Sequence, residues 1–267
     1  MKSLLTALAF CASVSFCVAQ SPAKATTNSE TAQEQIPFLK NAIKVNVSSL
    51  ALKNFNLSYE RSITRKTSFV AGYSFIPESN LGEMAVVQKM AAIYLDENSD
   101  LRDHIQNTNM SFHNMTGEFR YYFGKQAGAR GFYAGAYGRY ASMSFTFLDN
   151  YNSSSASYEL PYNGTLNGFG GGLMVGAQWL LTDHISLDWY IAGAHYGNTG
   201  GDINITQDFS ELSETERMEL ETQIEEQSTV AGRQLLDATV TSTGVHGKVD
   251  APFAGIRAFG LNLGYKF

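Results

Sequence analysis

The sequence predicts an all-β fold: an eight-stranded antiparallel transmembrane β-barrel with long, partly helical extracellular loops. Three observations support this prediction: eight segments in which apolar and polar residues alternate, connections that are alternately short and long, and an N-terminus typical of exported proteins. Strict alternation is the pattern of a strand with one apolar face. Short turns on one side and long loops on the other are typical of outer-membrane barrels. The predicted location is therefore the outer membrane of a Gram-negative cell.

The first 20 residues have the composition of a secretory signal peptide. Lys2 precedes an apolar stretch at 4–18, and small or polar residues follow from Ala19 onward. A positive charge, an apolar core and a small-residue cleavage site are the three parts of such a signal. We therefore expect cleavage near Ala19 or Gln20, followed by a polar periplasmic leader at 21–39.

Composition restricts the possible chemistry. Cys11 and Cys17 both lie in the predicted signal peptide, so we expect no disulfide, no thiolate metal site and no cofactor in the exported chain. No run of 18 apolar residues follows, so a membrane protein with this sequence has to cross the bilayer with strands. Residues 198–251 contain 11 acidic and 3 basic residues, a net charge of −8. This charge distribution gives no indication of nucleic-acid binding.

Eight alternating segments make up the predicted barrel at 40–267. They lie at 43–47, 55–60, 69–75, 118–123, 132–140, 173–179, 185–191 and 258–267. The last segment is the clearest, because apolar residues occupy every second position up to an aromatic C-terminus. It resembles the closing strand of an outer-membrane barrel. We expect Leu263, Tyr265 and Phe267 to be the membrane-insertion signal that the barrel-assembly machinery recognises.

The connections between these segments fall into two classes. Short turns are predicted at 64–66, 124–130 and 182–184, on the periplasmic side. Apart from a tight turn at 53–54, the other side has long outer loops, predicted at 77–109, 148–164 and 198–251.

Two of the outer loops contain helical patterns. The helical spacing is shared by Met84, Val87, Met90, Ala91 and Tyr94 in one loop, and by Leu220, Ile224, Ala231 and Leu235 in another. Ser213 and Glu216 have the spacing of a capping box, which predicts that the second helix begins there.

The polar face of the predicted strands carries charged residues of both signs. They are Lys44, Glu60, Glu118, Arg120, Arg139 and Asp188. An eight-stranded barrel has an interior just wide enough for its own side chains, and buried charges have to be paired. We therefore predict a salt-bridge network that fills the lumen. An acid–base site is the alternative interpretation, and a narrow pore is disfavoured because the charges obstruct it.

Arg257, His195 and His113 lie near the predicted outer ends of strands. Arg257 shares its phase with Phe259, which places it on the lipid side, in contact with lipopolysaccharide phosphate; a local bulge that turns it inward is an equal alternative. Outer-membrane lipid A deacylases place a histidine and a serine at the depth of His195, but no serine occupies the expected neighbouring position. His113 has Ser111 nearby and no surrounding motif. We therefore expect no catalytic residue.

Four segments carry a resemblance to a known family. They are NAIKVNVSSLALKNFNLSYER at 41–61, EFRYYFG at 118–124, GFYAGAYGRY at 131–140 and GGGLMVGAQWL at 170–180. In these segments the chain resembles a family of small eight-stranded outer-membrane barrels, OmpA-like in the membrane part and known only as a domain of unknown function. The resemblance implies a fold and a location but no activity, and no peptidoglycan-binding domain is expected after the barrel.

The expected function follows from the absence of a catalytic pattern. We expect a non-enzymatic outer-membrane protein with a structural or surface-binding role carried by its extracellular loops. The expected partners are outer-membrane lipid, lipopolysaccharide and the barrel-assembly machinery, whereas the surface ligand of the loops is left open. A lipid-modifying enzyme of the lipid A deacylase type is the alternative.

Overall fold

The computed structural model describes residues 39–95, 100–153, 157–230 and 232–267. The predicted signal peptide and almost all of the predicted leader lie outside these ranges. No helix within them combines the length and the apolar character needed to span a bilayer.

The described chain consists mainly of long antiparallel strands. The strands are β1 Asn41–Asn46, β2 Phe55–Ser62, β3 Thr67–Asn80, β4 Asn109–Tyr122, β5 Gly131–Asn152, β6 Ser157–Leu180, β7 Ile185–Thr206, β8 Thr229–Val230, β9 Arg233–Gln234, β10 Leu236–Thr241, β11 Gly244–Pro252 and β12 Gly255–Lys266. The helices are α1 Ala85–Tyr94, α2 Asp100–Gln106 and α3 Glu214–Gln227, with 3-10 turns at Ser48–Leu52 and Leu81–Glu83.

Eight of these strands form a ring. Neighbours pair in the order β1-β2-β3-β4-β5-β6-β7-β12, and β12 also pairs with β1. The prediction of eight strands is right for this ring but too low for the chain. β8 and β9 form a separate two-stranded sheet, and β10 pairs with β11, which continues along the edge of β7 above β12.

The ring has apolar residues outside and polar residues inside. Large apolar side chains remain exposed on its outer surface, among them Ile43, Val45, Leu57, Phe69, Phe119, Leu173, Val175 and Leu263. Their neighbours along the strands point inward and are buried, as Lys44 and Glu60 illustrate. A protein in water buries its apolar residues, so this arrangement is the reverse of that in a soluble barrel.

Strands β5, β6 and β7 extend well beyond the ring. The predicted outer loops at 77–109, 148–164 and 198–251 are therefore too long, since β3, β5 and β7 continue to Asn80, Asn152 and Thr206, and β4, β6 and β11 already begin at Asn109, Ser157 and Gly244. The prediction failed because these extensions are rich in glycine and polar residues, which resemble loop sequence. Alternation nevertheless continues in them, and most of their inward residues are apolar; Asp149, which lies 3.4 Å from His104, is an exception.

The inward side chains of the extensions pack against the helices. They form one buried apolar group, which we call the cap cluster. It comprises Leu81, Met84, Ile105, Met110, Phe145, Phe147, Tyr151, Tyr158, Leu160, Tyr162, Leu166, Ile203, Ile205, Phe209, Leu212, Leu220, Ile224, Leu236, Ala238 and Val245. The end of the ring with the long connections is thus covered by a packed apolar core.

The predicted helices are present with different lengths. α1 runs from Ala85 to Tyr94, so Met84, predicted as part of the helix, is its N-cap residue. The predicted capping box of α3 is formed by Ser213 and Glu216. The second helical pattern was extended too far, because α3 ends at Gln227 and Leu235 lies beyond the helix. Ala231, also part of that pattern, lies outside the described residues.

α3 covers the free edge of the large sheet. β10 is the last strand of that sheet, and an uncovered edge presents unpaired backbone N–H groups. The carboxylate of Glu225 accepts a hydrogen bond from the Ala238 N–H at 3.1 Å, and that of Glu221 accepts one from the Val240 N–H at 3.0 Å. The acidic helix therefore satisfies donors that the edge strand leaves free.

Candidate functional site

The interior of the ring contains a buried network of ion pairs, and Lys44 of β1 lies at one end of it. Its Nζ lies 2.6 Å from the carboxylates of both Glu60 and Asp188, and donates a hydrogen bond to the side-chain oxygen of Gln178 at 2.7 Å. These partners come from β2, β7 and β6, so one ammonium group connects four strands. All four side chains are almost completely buried.

Two arginines continue the network across the ring. Arg120 lies 2.6 Å from the Glu118 carboxylate and 2.7 Å from that of Asp188, and Arg257 lies 2.5 Å from the other oxygen of Glu118. The three cations and three carboxylates of this network balance formally. A buried charge without a partner costs several kcal/mol, so this mutual pairing is the condition for their burial.

Two tyrosines complete the hydrogen bonding of the carboxylates. The Tyr122 hydroxyl donates to Glu60 at 2.7 Å, and the Tyr133 hydroxyl donates to Asp188 at 2.9 Å. The Arg120 guanidinium also lies 4.5 Å from the centre of the Tyr133 ring. Sequence reasoning missed both tyrosines, although Tyr122 has the same parity along β4 as Glu118 and Arg120.

The structure brings together five of the six residues predicted for the salt-bridge network. These are Lys44, Glu60, Glu118, Arg120 and Asp188. Arg139 is the exception: in the part of the chain that the structure describes it has no ion pair and no side-chain hydrogen bond, and its buried Nε has no partner. Its prediction as a network member was wrong, because the three carboxylates are occupied by other cations.

Arg257 points into the ring, so its assignment to lipid headgroups was wrong. At this level the alternation of inward and outward side chains shifts by one residue in two neighbouring strands, a shift we call the phase change. In β12, Phe259 has a φ of 56°. In β7, Ile191 is an extra residue relative to β6. β7 and β12 keep their mutual register through this step. Beyond it, Arg257 and His195 face the interior although simple alternation places them outside.

The two candidate histidines have different environments. His195 is buried, its Nδ1 lies 3.1 Å from the Tyr137 hydroxyl, and its ring packs 4.8 Å from that of Phe253. His113 faces outward, and its Nδ1 lies 2.8 Å from the Tyr73 hydroxyl. Within the described ranges neither histidine has a hydrogen bond or ion pair with a serine or a carboxylate.

The glycines of β6 make room for side chains inside the ring. Gly168 and Gly170 face Phe253, and a Cβ atom at Gly168 would lie 2.6 Å from its ring. Gly176 leaves similar space for the Tyr133 ring. The glycines of β6 therefore allow close side-chain packing inside the ring.

The C-terminal residues predicted as an insertion signal lie on the outer surface. Leu263, Tyr265 and Phe267 are all exposed and alternate with buried neighbours. Lys266, one of those neighbours, points inward, and its Nζ donates to the backbone carbonyls of Gly128 and Ala129 at 3.4 and 3.3 Å.

A small polar cavity lies inside the ring beside the network. Its wall includes Asn56, Ser58, Asn114 and Thr116, together with the network residues Glu118, Arg120 and Arg257. No cluster of histidine, cysteine or carboxylate side chains in the described ranges has the arrangement of a metal site. The chemistry on offer is hydrogen bonding and charge pairing.

The comparisons with known proteins give one match. The search of curated proteins and the search of solved structures each returned no match. A family described as "Protein of unknown function (DUF3575)" matches residues 17–219. This match covers most of the chain, including β1 to β7 and part of α3. The chain therefore belongs to the DUF3575 family.

Proposed function

We propose that this protein is an outer-membrane β-barrel with a structural or surface-binding role and no catalytic activity. The observation that carries the proposal is the polarity of the ring, whose outer surface is apolar and exposed while its interior contains buried charges. Lipid tails are a suitable environment for such a surface, and a spanning sheet has to close so that no edge strand is left in the bilayer. We therefore propose a closed eight-stranded barrel.

The positions of the exposed aromatic residues support a location in the membrane, with the short turns on the periplasmic side. Exposed aromatic residues lie at both ends of the ring, with Phe123, Phe132, Trp179 and Tyr265 near the short turns and Tyr73, Tyr140 and Tyr196 toward the long extensions. Membrane barrels have aromatic girdles at their two interfaces, with short turns on the periplasmic side. The long extensions then face the cell exterior, where lipopolysaccharide is the neighbouring lipid.

The ion network supports a plugged lumen. It connects residues on opposite sides of the ring, since Arg257 of β12 reaches Glu118 of β4, and Arg120 of β4 reaches Asp188 of β7. Small eight-stranded barrels are filled by side chains in this way. The network therefore favours a structural role for the interior over conduction.

The cap cluster supports a surface-binding role for the exterior part. It holds α3 against the strand extensions through Leu220 and Ile224, which fixes the acidic outer face of the helix in one position. Glu214, Glu219 and Glu226 are exposed on that face. A surface that is ordered before it meets a ligand loses less entropy on binding.

Heat-modifiability of the outer-membrane fraction tests the barrel and its orientation. The folded protein is expected to migrate differently before and after boiling, and protease added to intact cells is expected to cut only at 81–108, 153–156 and 207–243. A soluble periplasmic protein without a mobility shift would refute the proposal. Cleavage at the short turns of intact cells would reverse the proposed orientation.

Removal of one connection tests the surface-binding role. Thr206 and Gly244 are paired across β7 and β11, so residues 207–243 can be replaced by a two-residue Asn-Gly turn, a favoured hairpin connection. The variant is expected to insert and remain heat-modifiable, while partners captured by the wild-type surface on whole cells are lost. Unchanged capture would exclude this segment from binding.

A further inference from the structure

The interior of the ring contains a cation that the ion network does not neutralise. Glu60, Glu118 and Asp188 are matched by Lys44, Arg120 and Arg257. Arg139 adds another positive charge, and its buried Nε has no acceptor among the described residues. A buried donor without a partner carries a desolvation cost that an acceptor from outside the chain would remove.

The surroundings of Arg139 supply more donors than acceptors. Arg139 lies inward on β5, two residues from Tyr137 and paired with Thr116 of β4 and Gly170 of β6. Arg257 lies 5.5 Å from the centre of the Tyr137 ring, and the two guanidinium groups repel each other. A bound anion between them would convert this repulsion into attraction on both sides.

Guanidinium groups and hydroxyls favour an anion with several oxygens. An arginine fork matches the spacing of two oxygens on a phosphate group. Tyr137 lies two residues from Arg139 on β5, and its hydroxyl lies 3.1 Å from Nδ1 of His195. We propose that Arg139, together with Arg257, Tyr137 and His195, binds a phosphate group inside the outer half of the barrel. The group is either free phosphate or the headgroup of a lipid.

The small polar cavity adjoins this site. Thr116 lines the cavity and is the register neighbour of Arg139, and Arg257 also lies in its wall. The cavity extends to Asn56, near the beginning of β2. The wall of the ring is lowest there, because β1 and β2 are short and are joined by only one 3-10 turn.

Titration with inorganic phosphate tests the site. The purified, folded protein in phosphate-free detergent is expected to unfold at higher temperature as phosphate is added, because a ligand that binds only the folded state stabilises it. Sodium chloride at the same ionic strength is the control for general screening. An equal effect of chloride would overturn the proposal, and this comparison needs no variant.

Arg139→Gln separates binding from a structural role. We expect its apparent phosphate affinity to fall at least about tenfold, since a charge-assisted hydrogen bond is lost. Arg139→Lys should keep part of the effect, and Arg61→Gln, at an exposed arginine of β2, should change nothing. In phosphate-free buffer Arg139→Gln should be at least as stable as the wild type. A full phosphate response in Arg139→Gln would overturn the proposal.

Mass spectrometry of the intact protein distinguishes the two sources of phosphate. The protein is extracted from membranes in mild detergent, and bound masses are compared between wild type and Arg139→Gln. A lipid mass present only in the wild type identifies a headgroup ligand, whereas a phosphate response without bound lipid identifies free phosphate. Either result supports the site, and a lipid mass retained equally by both proteins, with no phosphate response, contradicts it.

Discussion

Arg257 and Glu118 are 139 residues apart in the chain, and their charged groups lie 2.5 Å apart inside the ring. The contact depends on the coordinated phase change of β7 and β12 at Ile191 and Phe259. A bulge in only one of these two strands would have disturbed the register between β7 and β12. Because both strands shift together, their ladder continues and Arg257 turns from the lipid side to the interior.

Asp188→Asn is expected to destabilise the ring strongly. Asp188 is the carboxylate that Lys44 and Arg120 share, so neutralising it leaves two buried cations with one fewer partner. Breaking a buried ion pair on one side costs about 3–5 kcal/mol. The measurement is the urea concentration at half-unfolding in detergent, monitored through the fluorescence of Trp179 and Trp189.

The matched control for this variant is Asp183→Asn, in the exposed turn between β6 and β7. We expect its free energy of unfolding, obtained from the same urea titration, to equal that of the wild type within about 0.5 kcal/mol. Equal midpoints for Asp188→Asn and Asp183→Asn would show that the network contributes nothing to stability.

Single cysteines at adjacent positions test the phase change. In a chain with Cys11 and Cys17 replaced by serine, we expect Ala194→Cys to react with a bilayer-soluble maleimide in proteoliposomes and His195→Cys to remain protected. The reason is that Ala194 is exposed and His195 is buried. Ile256→Cys and Arg257→Cys provide a second pair on β12. Faster labelling at His195→Cys than at Ala194→Cys would mean that alternation continues without a shift.

Glu225→Ala is expected to release the edge of the large sheet. The Glu225 carboxylate accepts the Ala238 N–H, and a hydrogen bond to a charged group contributes about 1.5–3 kcal/mol, less where water competes. Amide hydrogen exchange at Ala238 should therefore accelerate. Glu226→Ala, an exposed glutamate one residue further along α3, should leave that exchange rate unchanged. Equal protection of the Ala238 amide from exchange in both variants would show that α3 does not cover this edge.

Local sequence patterns were sufficient for the ring and its short turns. Alternation in the segments from 43 to 267 identified the eight ring strands, and Ser213 with Glu216 identified the beginning of α3. Both signals depend only on residues close together in the chain. The parity of Lys44, Glu60, Glu118, Arg120 and Asp188 likewise identified the polar interior, because strand parity fixes the face on which a side chain lies.

Tertiary structure decided which charges pair and where the strands end. Arg139 has the same parity as the network residues and still has no carboxylate partner among the described residues, since partner choice depends on distances across the ring rather than along a strand. Residues 157–164, predicted as loop, became the first part of β6 because their backbone pairs with β5 and, from Tyr162 onward, with β7. Arg257 turned inward because its neighbour β7 changes phase at Ile191. Each of these outcomes is a property of the register between strands, which the sequence of one strand does not contain.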